Sequence, residues 1–245
     1  MKFKTAITNI QTDGTEIIRG HNLADLIANK TFVETIFLIL KGHLPTSEQT
    51  KMMNAIFTAI IDHGPATSSA MNARISASAK NDLHTSVAAG LLGLGGRHGV
   101  VVEPAMKFFY DHVDESDIVA LLKNMKERKE YASGFGHKIF AVDPRTQALF
   151  KIAKETGIYG QYATFAQKIE IGLNSISSKK LPLNVDGAIA AILCDMGFDA
   201  RIGNGIFVIA RVPGLVAHIV EEITNDEGIR RLTPEDIEYI GTTSV

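Results

Sequence analysis

Apolar residues recur three and four positions apart along most of this chain, with short polar stretches between them. Phe32, Val33, Ile36, Phe37 and Leu40 fall on one face of a helix. Gly42 is placed to end it. Thr46 opens another helix, with Gln49 at the capping-box spacing and Met53, Ile56, Phe57 and Ile60 on the apolar face. Upstream, FKTAITNI and TEIIR flank Asp13-Gly14, so residues 2–19 read as a small hairpin. Asn22 then caps a short turn carrying Leu23, Leu26 and Ile27.

Residues 62–72, DHGPATSSAMN, break the pattern. The segment 73–96, rich in Ala, Ser and Gly, suits close helix packing, and it leads into Arg97-His98-Gly99. Ser116 is the expected cap of a helix with Ile118, Leu121, Leu122 and Met125. Helices follow from about 144 to 153 and over 162–176, and Asn184 to Gly187 opens a third. Residues 204–219 read as an apolar helix interrupted at 211–214, and Thr233-Pro234 begins a last short one. The fold class is therefore all-α with a small N-terminal β-hairpin, without internal repeat or low-complexity linker.

The 245 residues allow one large domain or two modest ones. Apolar residues make up 45%, and 25 basic against 27 acidic side chains leave a net charge of −2. That balance gives no electrostatic case for nucleic acid. Cys194 is the only cysteine, so no intrachain disulfide or cysteine metal cluster forms, and its apolar neighbours point to a buried thiol. No basic patch with an apolar run opens the chain, and no apolar run reaches membrane-spanning length. The expectation is a cytoplasmic protein that does not engage membranes.

Chemistry concentrates in GFGHKIFAVDPR, residues 134–145. Gly134 and Gly136 permit a tight turn and close approach to a ligand. His137 can carry a proton near neutral pH, Lys138 adds a cation, and Arg145 offers a fork of donors for carboxylate or phosphate. The stretch reads as an anion site holding a proton-transfer group, or more plainly as a glycine-rich loop before a helix, its histidine serving only as a structural cap. His63, His98, Asp186 and Arg211 also lie at breaks in apolar helices. Each has a structural reading as a hydrogen-bonder or helix-end charge, although a guanidinium in an apolar helix calls for an anionic partner. No HExxH spacing supports a metal and no GxSxG elbow supports a serine hydrolase.

The order of these segments resembles the citrate synthase family across nearly the whole chain. IIRGHNLADLIANKTFVETIFLILKGHLPT, GFGHKIFAVDPR, NVDGAI and FVIARVPGLVAHIVEE are similar to four of its motifs. DHGPATSSAMN and RLTPEDIEYIG bring it nearest to the citryl-CoA lyase module, alone or at the end of ATP-citrate lyase. The resemblance implies a two-domain helical fold, with 1–103 and 205–245 as the large domain and 104–204 as a small domain closing over the site. It implies His137, Asp186 and His98 as catalytic groups, His63, Arg145 and Arg211 on substrate carboxylates, and Arg231 lent by the partner of a homodimer or higher oligomer. Gly134, Gly136 and Lys138 would meet coenzyme A, which is substrate rather than permanent cofactor, and no metal is called for.

The implied reaction is cleavage of citryl-CoA to acetyl-CoA and oxaloacetate. The alternatives are a citrate or 2-methylcitrate synthase, and a non-catalytic subunit or binding protein that keeps the fold. With no ATP-using part in this sequence, a separate enzyme would have to activate citrate. The chain departs from the family at Lys138, where Arg is usual, at Val100 and Val101, where small residues are usual, and at Leu215, which replaces a common Trp. Its His98 tilts toward the synthases, because the lyase module of ATP-citrate lyase often lacks that histidine.

Overall fold

The computed structural model describes residues 1–136 and 142–242. Three short strands, β1 (Thr8–Ile10), β2 (Glu16–Ile18) and β3 (His21–Asn22), precede the helices. These are α1 (Leu23–Asn29), α2 (Phe32–Lys41), α3 (Ser47–Ala59), α4 (Ser68–Ser78), α5 (Leu83–Leu92), α6 (Val102–His112) and α7 (Ile118–Glu127). They continue with α8 (Pro144–Glu155), α9 (Gln161–Ile176), α10 (Val185–Asp195) and α11 (Gly203–Asn225). The chain divides into two compact units, Met1–Ile60 with Gly99–Ala210, and Ile61–His98 with Arg211–Val245. Among the described residues, no helix is long and apolar enough to cross a membrane.

In the first unit the hairpin appears as expected, and β3 extends it into an antiparallel meander in the order β1-β2-β3. Asn22 ends that sheet and also caps α1, its side chain accepting the Ala24 N–H at 2.8 Å. The capping box of Thr46 with Gln49 is present, and Gly42 ends α2 at φ +87°. The cap of α7 is Asp117 rather than Ser116, because the Asp117 carboxylate reaches the Ala120 N–H at 2.9 Å.

Helix α10 is the core of this unit. Nearly every side chain from Val185 to Cys194 is buried, as expected of a helix apolar all round, and it packs on α6, α8 and α9. Burial pushes the Cys194 thiol up to about 12, an inert group. Helix α6 was not apparent from the sequence. Its buried Val102, Ala105, Met106 and Phe109 form a helical stripe, and Pro104 sits in its first turn, where a missing N–H breaks no helical bond.

In the second unit, α4 begins at Ser68 under a Thr67 cap, inside the stretch expected to break the pattern. The segment expected to run from 73 to 96 is two helices, turned at Lys80 with φ +67°. Their closeness depends on glycine. A Cβ at Gly90 would lie 3.1 Å from the Ala73 Cβ, and one at Gly93 would lie 2.8 Å from the Ser68 carbonyl oxygen. Helix α11 runs through 211–214 without the expected interruption. Pro213 forfeits one hydrogen bond, but Leu215 and Ile219 pack against Ala70, Ala73 and Ala77 of α4, and such packing outweighs local propensity.

Candidate active site

The glycine-rich loop and the start of α10 form one structure. Phe135 bridges to Leu183, the Gly136 N–H donates to the Pro182 carbonyl at 2.7 Å, and the Asn184 N–H donates to the Gly134 carbonyl at 3.0 Å. The Asn184 side chain closes the arrangement, donating to the Gly136 carbonyl at 3.0 Å and accepting the Gly187 N–H at 3.1 Å as the cap of α10. Gly134 and Gly136 both have φ +90°, a region open chiefly to glycine. The loop thereby lies against the first turn of α10, which carries the half-buried Asp186. Carboxylates are favoured there by the N-terminal end of the helix dipole. His137 and Lys138 lie outside the described residues. Beside Phe135, a cavity of about 250 Å³ opens among Leu122, Met125, Tyr131, Leu173 and Leu181.

Asp143 is the polar group to which the sequence reading gave no role. It is fully buried and accepts from four N–H groups. The Arg145 N–H and Nε reach Oδ1 at 3.0 Å each, while Arg145 Nη2 reaches Oδ2 at 2.8 Å and the Val185 N–H reaches Oδ2 at 3.1 Å. One carboxylate thus ties the start of α8 to the start of α10 and holds the guanidinium of Arg145. Burial raises its pKa, but the Arg145 hydrogen bonds and charge and the Val185 N–H outweigh this and leave it below the usual carboxylate range. The signal was present in Asp-Pro-Arg, an N-cap followed by proline at the first helical position.

The second unit holds His63, His98, Arg211 and Arg231. A four-residue turn sets His98: its N–H and carbonyl pair with the carbonyl and N–H of Gly95, both at 2.8 Å. The ring Nε2 lies 3.1 Å from the Oγ of the fully buried Ser69. Burial, and then the neighbouring Arg211 and His63, lower the His98 pKa. The imidazole is therefore held neutral at pH 7, a form that donates through one nitrogen. Arg211 is buried in α11 at 2% exposure. His63 sits on an exposed loop ahead of α4. Arg230 is engaged by the buried Glu222, with Nε to Oε1 at 2.6 Å, whereas the adjacent Arg231 is exposed.

Within each unit the site residues come together as sets: the glycine loop, Arg145 and Asp186 in one, and His63, His98 and Arg211 in the other. Sequence reasoning missed Asp143, Ser69 and the Asp62–His218 pair. Among the described residues, no group of three or more His, Cys, Asp or Glu side chains could hold a metal ion.

The citrate synthase C-terminal domain family matches residues 48–232. The structure of citryl-CoA lyase from Hydrogenobacter thermophilus is 44% identical, with a TM-score of 0.92, over 99% of this chain and 96% of that one. An ATP citrate lyase from Methanosaeta concilii in complex with (3S)-citryl-CoA is 26% identical, with a TM-score of 0.87, over 99% of this chain and 42% of that one. The 2-methylcitrate synthase of Shewanella oneidensis is 30% identical over 208 residues, 84% of this chain and 54% of that protein. This chain thus spans about half the length of that curated relative, and 38% of a plant ATP-citrate synthase beta chain from Arabidopsis thaliana. The motif order, the helical fold and these matches together place the chain in the citrate synthase family.

Proposed function

We propose that the protein is a citryl-CoA lyase, cleaving citryl-CoA to acetyl-CoA and oxaloacetate by acid–base catalysis. The observation that carries this reading is the 44% identity to a citryl-CoA lyase, end to end in both chains. In the cleavage, His137 takes the proton of the tertiary hydroxyl as the bond between that carbon and the thioester methylene breaks. The electron pair moves onto the thioester as an enolate. The neutral His98 donates a hydrogen bond to the thioester oxygen, where charge develops. Asp186, entering protonated, delivers its proton to the methylene carbon and leaves acetyl-CoA. His63, Arg145, Arg211 and the partner's Arg231 hold the carboxylates and fix the geometry. Gly134, Gly136 and Lys138 meet coenzyme A, and residues 104–204 act as the part that closes on the substrate.

A homodimer is part of this reading. Met71 and Ile75 of α4 and Val220 and Ile223 of α11 are each between 47% and 49% exposed, and exposed apolar faces of this kind mark partner surfaces. A separate enzyme would supply citryl-CoA from citrate, and the working compartment would be the cytoplasm. The 2-methylcitrate synthase relative favours a second reading, condensation of an acyl-CoA with oxaloacetate by the same groups in reverse.

Running the reaction in deuterium oxide tests the proposal. Retro-Claisen cleavage places one deuterium in the methyl group of the acetyl-CoA formed. Simple hydrolysis of citryl-CoA yields citrate and no acetyl-CoA, and would overturn the reading.

A further inference from the structure

Helix α11 carries a second polar residue on the face of Arg211. His218 follows seven residues later, two turns of helix. Its side chain is 14% exposed, and its Nε2 lies 3.1 Å from Oδ1 of Asp62. The other carboxylate oxygen of Asp62 accepts the Gly64 N–H at 2.9 Å, and the backbone of His63 also donates to this carboxylate. These are the backbone amides of the loop that presents His63. Gly214 brings the helix this close, because a Cβ there would collide with the Ile61 carbonyl and come within 3.0 Å of Asp62.

The charged groups facing His218 fix its tautomer. Arg74 of α4 places Nη1 3.5 Å from Nδ1, and Glu221 of α11 lies 4.0 Å from the same nitrogen. Arg74 is itself held by Glu222, with Nε to Oε2 at 2.8 Å. An arginine has no acceptor, so Nδ1 facing it keeps its lone pair and the ring proton sits on Nε2, toward Asp62. Burial raises the Asp62 pKa, but the Gly64 and His63 backbone donors and the hydrogen bond from His218 leave it lowered, so Asp62 is an acceptor at neutral pH.

We infer that His218 is a positioning residue for His63: it donates Nε2–H to Asp62, whose carboxylate in turn locks the His63 and Gly64 backbone. The inference rests on the reading of His63 as a substrate-carboxylate group. It adds a residue that never touches substrate but sets how tightly the oxaloacetate portion is held.

Amide hydrogen exchange and oxaloacetate calorimetry on the intact protein test it together. In His218→Ala, the amides of 63 and 64 should exchange about tenfold faster and oxaloacetate should bind about tenfold more weakly, the effect of one charge-assisted hydrogen bond. KM for citryl-CoA should rise with a smaller change in kcat. His218→Gln, whose amide N–H can reach the same oxygen, should recover most of both. Asp62→Ala, at a side chain 38% exposed, should reproduce the loss and serves if the His218→Ala chain does not fold. Unchanged exchange in the folded variants overturns the inference. Faster exchange with unchanged oxaloacetate binding upholds the link from His218 to the loop and overturns the role given to His63.

Discussion

Gly134 and Gly187 meet backbone to backbone: a Cβ on Gly134 would lie 2.5 Å from the Cα of Gly187. The Gly134 carbonyl in turn accepts the Asn184 N–H at 3.0 Å. The loop that leads to His137 and the helix turn that carries Asp186 are thus one rigid joint. Gly187→Ala would drive a methyl group into the Gly134 carbonyl and the Leu183 side chain. Overpacking of this kind costs about 1–3 kcal/mol. Turnover should fall further than stability, since the described loop at Gly134 is pushed away from the turn that carries the proposed proton donor Asp186. Thermal unfolding and kcat on the same preparation give both effects.

Asp143 makes stability depend on acid. Its folded pKa lies below the usual carboxylate range. Its contribution is therefore complete above about pH 4 and is lost as pH falls through the lowered value. Asp143→Asn removes the buried negative charge that the Arg145 guanidinium and the Val185 N–H engage, and should cost about 1.5–3 kcal/mol at neutral pH. The gap between variant and parent should shrink at lower pH. Urea unfolding at pH 7 and at pH 3 measures it; equal gaps at both would contradict this role.

Much of the fold was legible because its signals are local. Gly42, the Thr46 and Gln49 box, Asn22 and Asn184 each act within four residues, and each ends or caps a helix as the sequence suggests. What was not legible depends on distant packing. Pro213 reads as a break, yet Leu215 and Ile219 bury against α4 and carry the helix through. Lys80 adopts a left-handed turn that nothing in its type announces. Helix α6 hid because Pro104 obscured its stripe. The site divides the same way. Its motif residues were named from the sequence, but the partners that hold them were not. Asp62 and His218 stand 156 positions apart, and Ser69 is 29 positions from His98.

His137→Ala should abolish citryl-CoA cleavage while leaving the thermal transition within a few degrees of the parent. His137 is the group proposed to take the hydroxyl proton. Near-parental turnover by the purified variant would remove His137 from its role.

The exposed Arg231 beside the engaged Arg230 leads to a complementation test. Arg231→Ala and Asp186→Ala homodimers should each be inactive. Mixed dimers should regain up to about half of the parental activity per active site pair, because one of the two shared sites keeps both residues intact. No recovery on mixing and refolding would contradict a site shared between subunits.

The most direct measurement is turnover of chemically prepared citryl-CoA by the purified protein alone, following oxaloacetate by coupled reduction. Fast oxaloacetate release, with little thiol release from acetyl-CoA plus oxaloacetate under the same conditions, is the result predicted for a lyase. Absent oxaloacetate release together with rapid thiol production from acetyl-CoA and oxaloacetate would contradict it and make the protein a synthase.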